Sequence, residues 1–83
     1  MKNYPKILEV TVKRPYIIEI VFESNQIKQY DFKNLLNDSN FTKLKNFSYF
    51  KNLKVSVGGY GIEWDDELDL SESELWLNGQ IVS

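Results

Sequence analysis

Residues 16–32 read YIIEIVFESNQIKQYDF, and the period of this run decides the fold. Tyr16, Ile18, Ile20 and Phe22 alternate onto one face, which is the two-residue period of a strand rich in β-branched and aromatic side chains. Ile17 and Val21 on the opposite face mark a strand covered in part on both sides, hence a central one. ESNQ is a polar turn in which Asn25 tolerates left-handed backbone angles. IKQYDF then alternates Lys28, Tyr30 and Phe32 against Ile27, Gln29 and Asp31. Upstream, KILEVTVKR sets Leu8, Val10 and Val12 against Glu9, Thr11 and Lys13, and Pro15 ends that strand because proline offers no amide hydrogen to a ladder. Three strands joined by short connections predict an antiparallel meander.

Beyond Phe32 the period changes. DFKNLLN reads as a helical turn with Asp31 placed to cap its first amides. Phe41, Leu44 and Phe47 follow at intervals of three, a short amphipathic helical segment. Such elements are too short to stand alone and must dock their aromatic residues on the sheet. LKVSV returns to strand character through Val55 and Val57, GGYG supplies a tight turn, and GIEWD comes back as the partner strand. Ser71 stands three residues before Glu74, the spacing of a capping box, and Gly79 falls where a helix C-cap belongs. The expected architecture is α+β: a small antiparallel sheet, made of a three-stranded meander plus a later hairpin, with one or two short helices packed on it. A chain of 83 residues holds one domain, residues 1–83, without internal repeat or linker.

Composition excludes several classes of function. The chain is 42% hydrophobic and 14% aromatic, too rich in core-forming side chains for intrinsic disorder. It has neither cysteine nor histidine, which removes disulfides, structural zinc, thiol nucleophiles and imidazole bases. MKNYPKILEV lacks the apolar run of a signal peptide, and no stretch reaches the roughly 18 apolar residues of a membrane span. A soluble, cytoplasmic protein with no membrane association is expected. The net charge of −2 is unevenly distributed: residues 28–54 carry six lysines against Asp31 and Asp38, and residues 55–83 carry seven acids and no base. Either the fold keeps these segments apart and presents a dipolar surface, or sheet topology brings them together to neutralise each other.

The acids concentrate in GIEWDDELDLSESELW, residues 61–76. A calcium loop begun at Asp65 finds acids at its third and fifth positions, Glu67 and Asp69. It fails at the sixth, where Leu70 replaces the required glycine, and at the twelfth, where Trp76 replaces glutamate. No dedicated metal site is expected. Trp64 beside Asp65 offers desolvation for paired-carboxylate acid/base work, yet no catalytic partner of another type accompanies it. The structural reading takes Asp65 and Asp66 as turn residues, Ser71 as helix cap with Asp69 as its alternative, and Glu72 and Glu74 as acids at the positive end of a helix dipole. On that reading the stretch is a strand–turn–helix corner anchored by Trp64 and Trp76.

Two further constellations resolve toward structure. Lysines 28, 33, 43, 45, 51 and 54 interleave with aromatic residues as in nucleic-acid binders, but the single arginine, Arg14, leaves no set of bidentate phosphate or guanine readers. Nucleic-acid binding is therefore disfavoured. GGYG lacks the lysine and serine of a phosphate loop and falls between strands.

PYIIEIVFESNQIKQYDFKNLL, followed by Phe41 and Leu44 of FTKL, then by FKNLKVS, GIEW and DLSESELW, resembles the small bacterial and phage domain-of-unknown-function family 2442. Tyr16, Phe22, Asp31, Leu35, Leu36, Trp64, Asp69 and Leu70 hold the positions of its pattern. Asn25 and Glu67 depart from it, standing in turns where a glycine is common. The resemblance implies a small α+β fold with an antiparallel sheet. It also implies relatives fused to helix-turn-helix domains or encoded beside a second small protein in toxin–antitoxin-like pairs. It supplies no catalytic residues.

The expectation is a non-catalytic interaction module, antitoxin- or inhibitor-like, that binds a protein partner through the acidic corner of Asp65, Asp66, Glu67 and Asp69. The alternative is a small-molecule-binding domain using a cleft between sheet and helices lined by Tyr30, Phe50 and Tyr60. No cofactor is expected. An open edge strand is able to pair with another copy, so monomer and homodimer both stand.

Overall fold

The computed structural model describes residues 4–82. The meander forms as β1 (Ile7–Arg14), β2 (Ile17–Phe22) and β3 (Ile27–Asp31), all antiparallel, with β2 in the centre. Ile18, Ile20 and Phe22 are fully buried, and Tyr30 and Phe32 join them from β3 and the residue after it. Asn25 adopts φ 67°, the left-handed angle its turn requires. Tyr16 does the same at φ 68° between β1 and β2. Its hydroxyl donates to the Lys45 carbonyl at 2.6 Å, and its ring meets Phe47 and Phe50, so neighbours on three sides hold the strained residue in place.

The alternation in β1 does not run through its first residues. The pairing slips between Ile7 and Glu9, so that Ile7 points inward and Leu8, expected on the core face, is exposed. One extra residue in a strand reverses every side chain on one side of it. Val10 and Val12, beyond the slip, do face the core cluster.

After β3 the chain makes 3₁₀ turns at Leu35–Asn37 and Ser39–Lys45, then a single α-turn, α1 (Phe47–Phe50). The three-residue spacing of Phe41, Leu44 and Phe47 suits this geometry, since a 3₁₀ helix stacks residues i and i+3. Asp31 accepts a bond from the Lys33 amide at 2.8 Å, closing the turn that precedes the first 3₁₀ segment rather than capping the segment itself. Asp38 and Asn46 cap the next two elements through their side chains.

The later hairpin builds a second sheet. β4 (Lys54–Val55) pairs with β5 (Gly61–Asp65), and β5 pairs with β6 (Leu68–Ser71), all antiparallel. The GGYG segment is a 3₁₀ turn at Val57–Gly59 with positive φ at Gly58 and Gly59. β6 corrects the strand–turn–helix reading: Leu68 and Leu70 point into the core and Asp69 points out, so the stretch is strand, turn, strand, helix. Period two over only four residues is masked in the sequence by the capping signal that follows it.

α2 (Glu72–Asn78) begins at Ser71, whose hydroxyl accepts from the Glu74 amide at 3.2 Å. Its first turn carries Glu72 and Glu74, as the dipole favours. Gly79 occupies the C-cap in extended, not left-handed, conformation, and the chain continues into β7 (Gln80–Ile81), which pairs with β3. The buried Lys28 of β3 lies beneath α2. Its ammonium sits 4.0 Å over the Trp76 ring and donates to the Trp76 carbonyl, one of the groups a helix end leaves unpaired. The core thus receives side chains from both sheets, the 3₁₀ turns and both helices.

Candidate functional site

The β5–β6 hairpin carries the acidic corner, and the structure separates its members. Asp65, the last residue of β5, is turned back onto the body of the protein. The Tyr49 hydroxyl and Lys43 Nζ (3.3 Å) both donate to its Oδ2, and the Glu67 amide donates to its Oδ1 at 2.9 Å. These donors, the Tyr49 hydroxyl first, hold the Asp65 carboxyl at about 2. Partial burial and the same bond push Tyr49 up to about 12. Asp65 therefore orders the hairpin and has little left to offer a partner.

Asp66 and Glu67 form the two-residue tip, both exposed. Asp69 projects from the outer face of β6 directly opposite Glu63, which lies 4.0 Å from the Lys54 ammonium. Like charges directly opposite each other in a sheet are destabilising. On the same outer face a shallow groove of about 420 Å³ is lined by Val57, Tyr60, Glu63 and Asp69 among others. Val57 is 97% exposed and Tyr60 60% exposed. Glu72 and Glu74 lie elsewhere: Glu72 is 3.7 Å from Lys6, and Glu74 accepts from the Tyr30 hydroxyl at 2.9 Å. Burial, reinforced by Glu74, raises the Tyr30 hydroxyl well above the usual phenol range.

Topology joins the basic and acidic segments at two points, Lys43–Asp65 and Lys54–Glu63, and leaves the hairpin tip and Asp69 outside these pairs. Among the described residues no three acidic side chains gather closely enough to hold a metal ion, and no helix is long and apolar enough to cross a membrane.

The aromatic cleft is not assembled. Phe50 is fully buried, its ring packed between Tyr16, Phe32 and Trp64, and its carbonyl accepts from the Trp64 indole at 2.9 Å. Tyr30 and Tyr60 line two different grooves. Phe50 reads as a cleft residue only if α1 stands off the sheet; instead the small core consumes it. Val57 was read as a strand residue but stands in the 3₁₀ turn after β4, and Glu63 was not singled out as a site residue. The Gly58–Gly59 pair was the available signal, because it ends the strand before Val57 and turns that side chain outward.

The family model described as "Protein of unknown function (DUF2442)" matches residues 7–80. The chain belongs to this family. No curated protein and no solved structure matches it. The DUF2442 match runs from the first residue of β1 to the first of β7, so both sheets, both helices and the whole acidic hairpin lie within the family unit.

The Asp65–Tyr49 pair gives a pH expectation. Asp65 titrates lower folded than its usual 3.8, so its contribution is complete above about pH 4 and is lost as pH falls toward 2. Tyr49 titrates higher folded than its usual 10, so its contribution is complete below that value and is lost as pH rises toward 12. Melting temperatures across the pH range check this: Asp65→Asn flattens the acid limb, and Tyr49→Phe removes one tyrosine from the late-titrating set. An acid limb unchanged by Asp65→Asn contradicts the assignment.

Proposed function

We propose that this DUF2442 chain is a non-catalytic, cytoplasmic interaction module that binds a basic surface on a protein partner and regulates it. The supporting observation is the outer face of the β4–β6 sheet, where Asp69 opposes Glu63 beside the exposed Val57 and Tyr60. The isolated domain gains nothing from that like-charge pair, whereas a lysine- or arginine-rich partner neutralises it and covers the apolar residues. The exposed Asp66 and Glu67 extend the same charge to the hairpin tip. In its sharpest form the partner is a nuclease or toxin whose phosphate-binding cleft accepts these carboxylates as phosphate mimics. The mixture of one aromatic, one aliphatic and several acidic groups fits a protein surface better than a small ligand.

The test is a double charge reversal, Asp66→Lys with Asp69→Lys, in tagged protein used to capture partners from the native host. The domain remains as stable as the parent, or more so by a few tenths of a kcal/mol, because neither side chain is paired among the described residues and one repulsion is relieved. Partner affinity falls by about tenfold to a hundredfold, with a steep salt dependence in the parent that the variant lacks. A basic partner held equally by both proteins, or no stoichiometric partner at all, removes this reading.

A further inference from the structure

Away from the hairpin, the outer face of the β1–β2–β3–β7 sheet carries a groove of about 400 Å³ with a different chemistry. Arg14, Ile17 and Asp31 stand in one cross-strand row, since Arg14 pairs with Ile17 and Ile17 pairs with Asp31. Neighbouring strands lie about 4.8 Å apart, so the guanidinium-bearing and carboxylate-bearing positions are separated by roughly 10 Å with one isoleucine between them. Lys33 lies on the groove wall as well. Among the described residues neither Arg14 nor Lys33 belongs to an ion pair. Side-chain amides complete the lining: Gln29 and Gln80, a cross-strand pair, with Asn34 and Asn78 from the segments that follow β3 and end α2. None of these four amides is committed to a hydrogen bond within the described chain.

A second groove of about 500 Å³ adjoins the first, and the two share Asp31, Asn34 and Asn78 as a common wall. Its far side carries Asp38 and Glu74. The first groove therefore sets a cation, Arg14 on β1, two strands away from an anion, Asp31 on β3, with Lys33 beside Asp31, and the adjoining groove adds only acids. A simple anion would be drawn to Arg14 and Lys33 but repelled by Asp31, and a simple cation would meet the reverse. A ligand carrying both charges uses all of them.

We infer that the first groove is a binding site for a short peptide with free termini, a zwitterion whose ammonium and carboxylate stand far enough apart to reach Asp31 and Arg14 together. The carboxylate lies against Arg14, the ammonium against Asp31 and the acidic wall beyond it, and the amides of Gln29, Asn34, Asn78 and Gln80 bond the polar atoms between. The site is independent of the hairpin surface, with which it shares no lining residue.

Two-dimensional ¹H–¹⁵N spectra of the 83-residue chain resolve side-chain amide signals, so occupancy is read at the site itself. The probes are free α-amino acids, di- and tripeptides, amino-acid amides lacking the carboxylate, N-acetyl amino acids lacking the ammonium, and inorganic phosphate. Saturable shifts of the Gln29, Asn34, Asn78 and Gln80 side-chain signals with a di- or tripeptide, and none with the singly charged derivatives, is the expected result. A free amino acid that saturates the site as readily as a peptide contradicts the spacing of Arg14 and Asp31 and overturns the inference. Arg14→Gln and Asp31→Asn each weaken binding by about tenfold or more, the weight of one charge-assisted hydrogen bond. Asp31→Asn keeps an oxygen to accept from the Lys33 amide, so the turn survives, and an unchanged melting temperature verifies it. Equal binding of the N-acetyl derivative or of phosphate makes the trough an anion site and overturns the inference. No shift with any probe overturns it too.

Discussion

Phe32→Ala lowers the melting temperature by about 15 °C or more, the largest loss expected from any single side-chain truncation in this chain. Phe32 is fully buried immediately after β3, and its amide donates to the Tyr16 carbonyl at 2.9 Å. Its ring meets Tyr30, Phe50 and Trp64 edge-on, with centroids 4.9, 5.0 and 5.8 Å away. Those neighbours belong to the meander, to α1 and to β5, so one ring joins three parts of the fold. Removing a buried phenylalanine costs about 3–5 kcal/mol, because the lost transfer energy is compounded by the cavity left behind. A domain of 83 residues holds only about 4–12 kcal/mol in all. Phe32→Leu keeps most of the volume and loses less than half as much. Thermal denaturation followed by circular dichroism checks both variants. A Phe32→Ala protein melting within a few degrees of the parent contradicts the junction role assigned to this ring.

The same junction explains what was legible in the sequence. β2 and β3 were readable to within one residue, because each alternates without interruption and buries one face: Ile18, Ile20 and Phe22, then Lys28, Tyr30 and, just past the end of β3, Phe32. Even the inward position of Lys28 followed from period two, although the reason a lysine is accepted there, the Trp76 carbonyl and ring, is a contact 48 residues away. Leu8 was misplaced because a slip in pairing leaves no mark in local composition. β6 and β7 are four and two residues long, too short for periodicity to register, and exist because β5 and β3 present partners to them. At the candidate site, the exposure of Asp66 and Glu67 was readable from their place in a turn, whereas that of Asp69 rests on β6, which the sequence did not reveal. The diversion of Asp65 to Tyr49 and Lys43 was not, since it depends on where the 3₁₀ turns and α1 dock. The cleft residues failed for a related reason. With so few large side chains, the core claims Phe50, and only tertiary packing decides which aromatic residues are left outside.

Gly59→Ala is expected to destabilise the fold by about 2–4 kcal/mol, well beyond Gly58→Ala at about 1 kcal/mol, although the two glycines are adjacent and both take positive φ. Gly58 and Gly59 adopt φ 82° and 77°, so a side chain at either incurs the left-handed penalty. What differs is the obstacle. A Cβ on Gly58 meets the Tyr60 ring at 2.7 Å, and Tyr60 is 60% exposed, so the ring is free to swing into solvent. A Cβ on Gly59 lies 2.6 Å from the Ile7 carbonyl oxygen and 3.0 Å from the Ile7 nitrogen. Those are backbone atoms of β1, which moves only if the Val57–Gly59 turn parts from the meander. Gly59 therefore marks the seam at which the second sheet is held against the first, at the very residue where β1 slips its register. Equal losses in the two variants would show that the backbone angle alone sets the cost and that the seam yields freely. A larger loss in Gly59→Ala, with hydrogen exchange accelerated first in β4 and the start of β1, establishes the seam as the weak plane of the fold. Because Val57 and Tyr60 flank this turn, Gly58→Ala then becomes the informative variant for partner binding: it displaces the exposed tyrosine while leaving the two sheets joined.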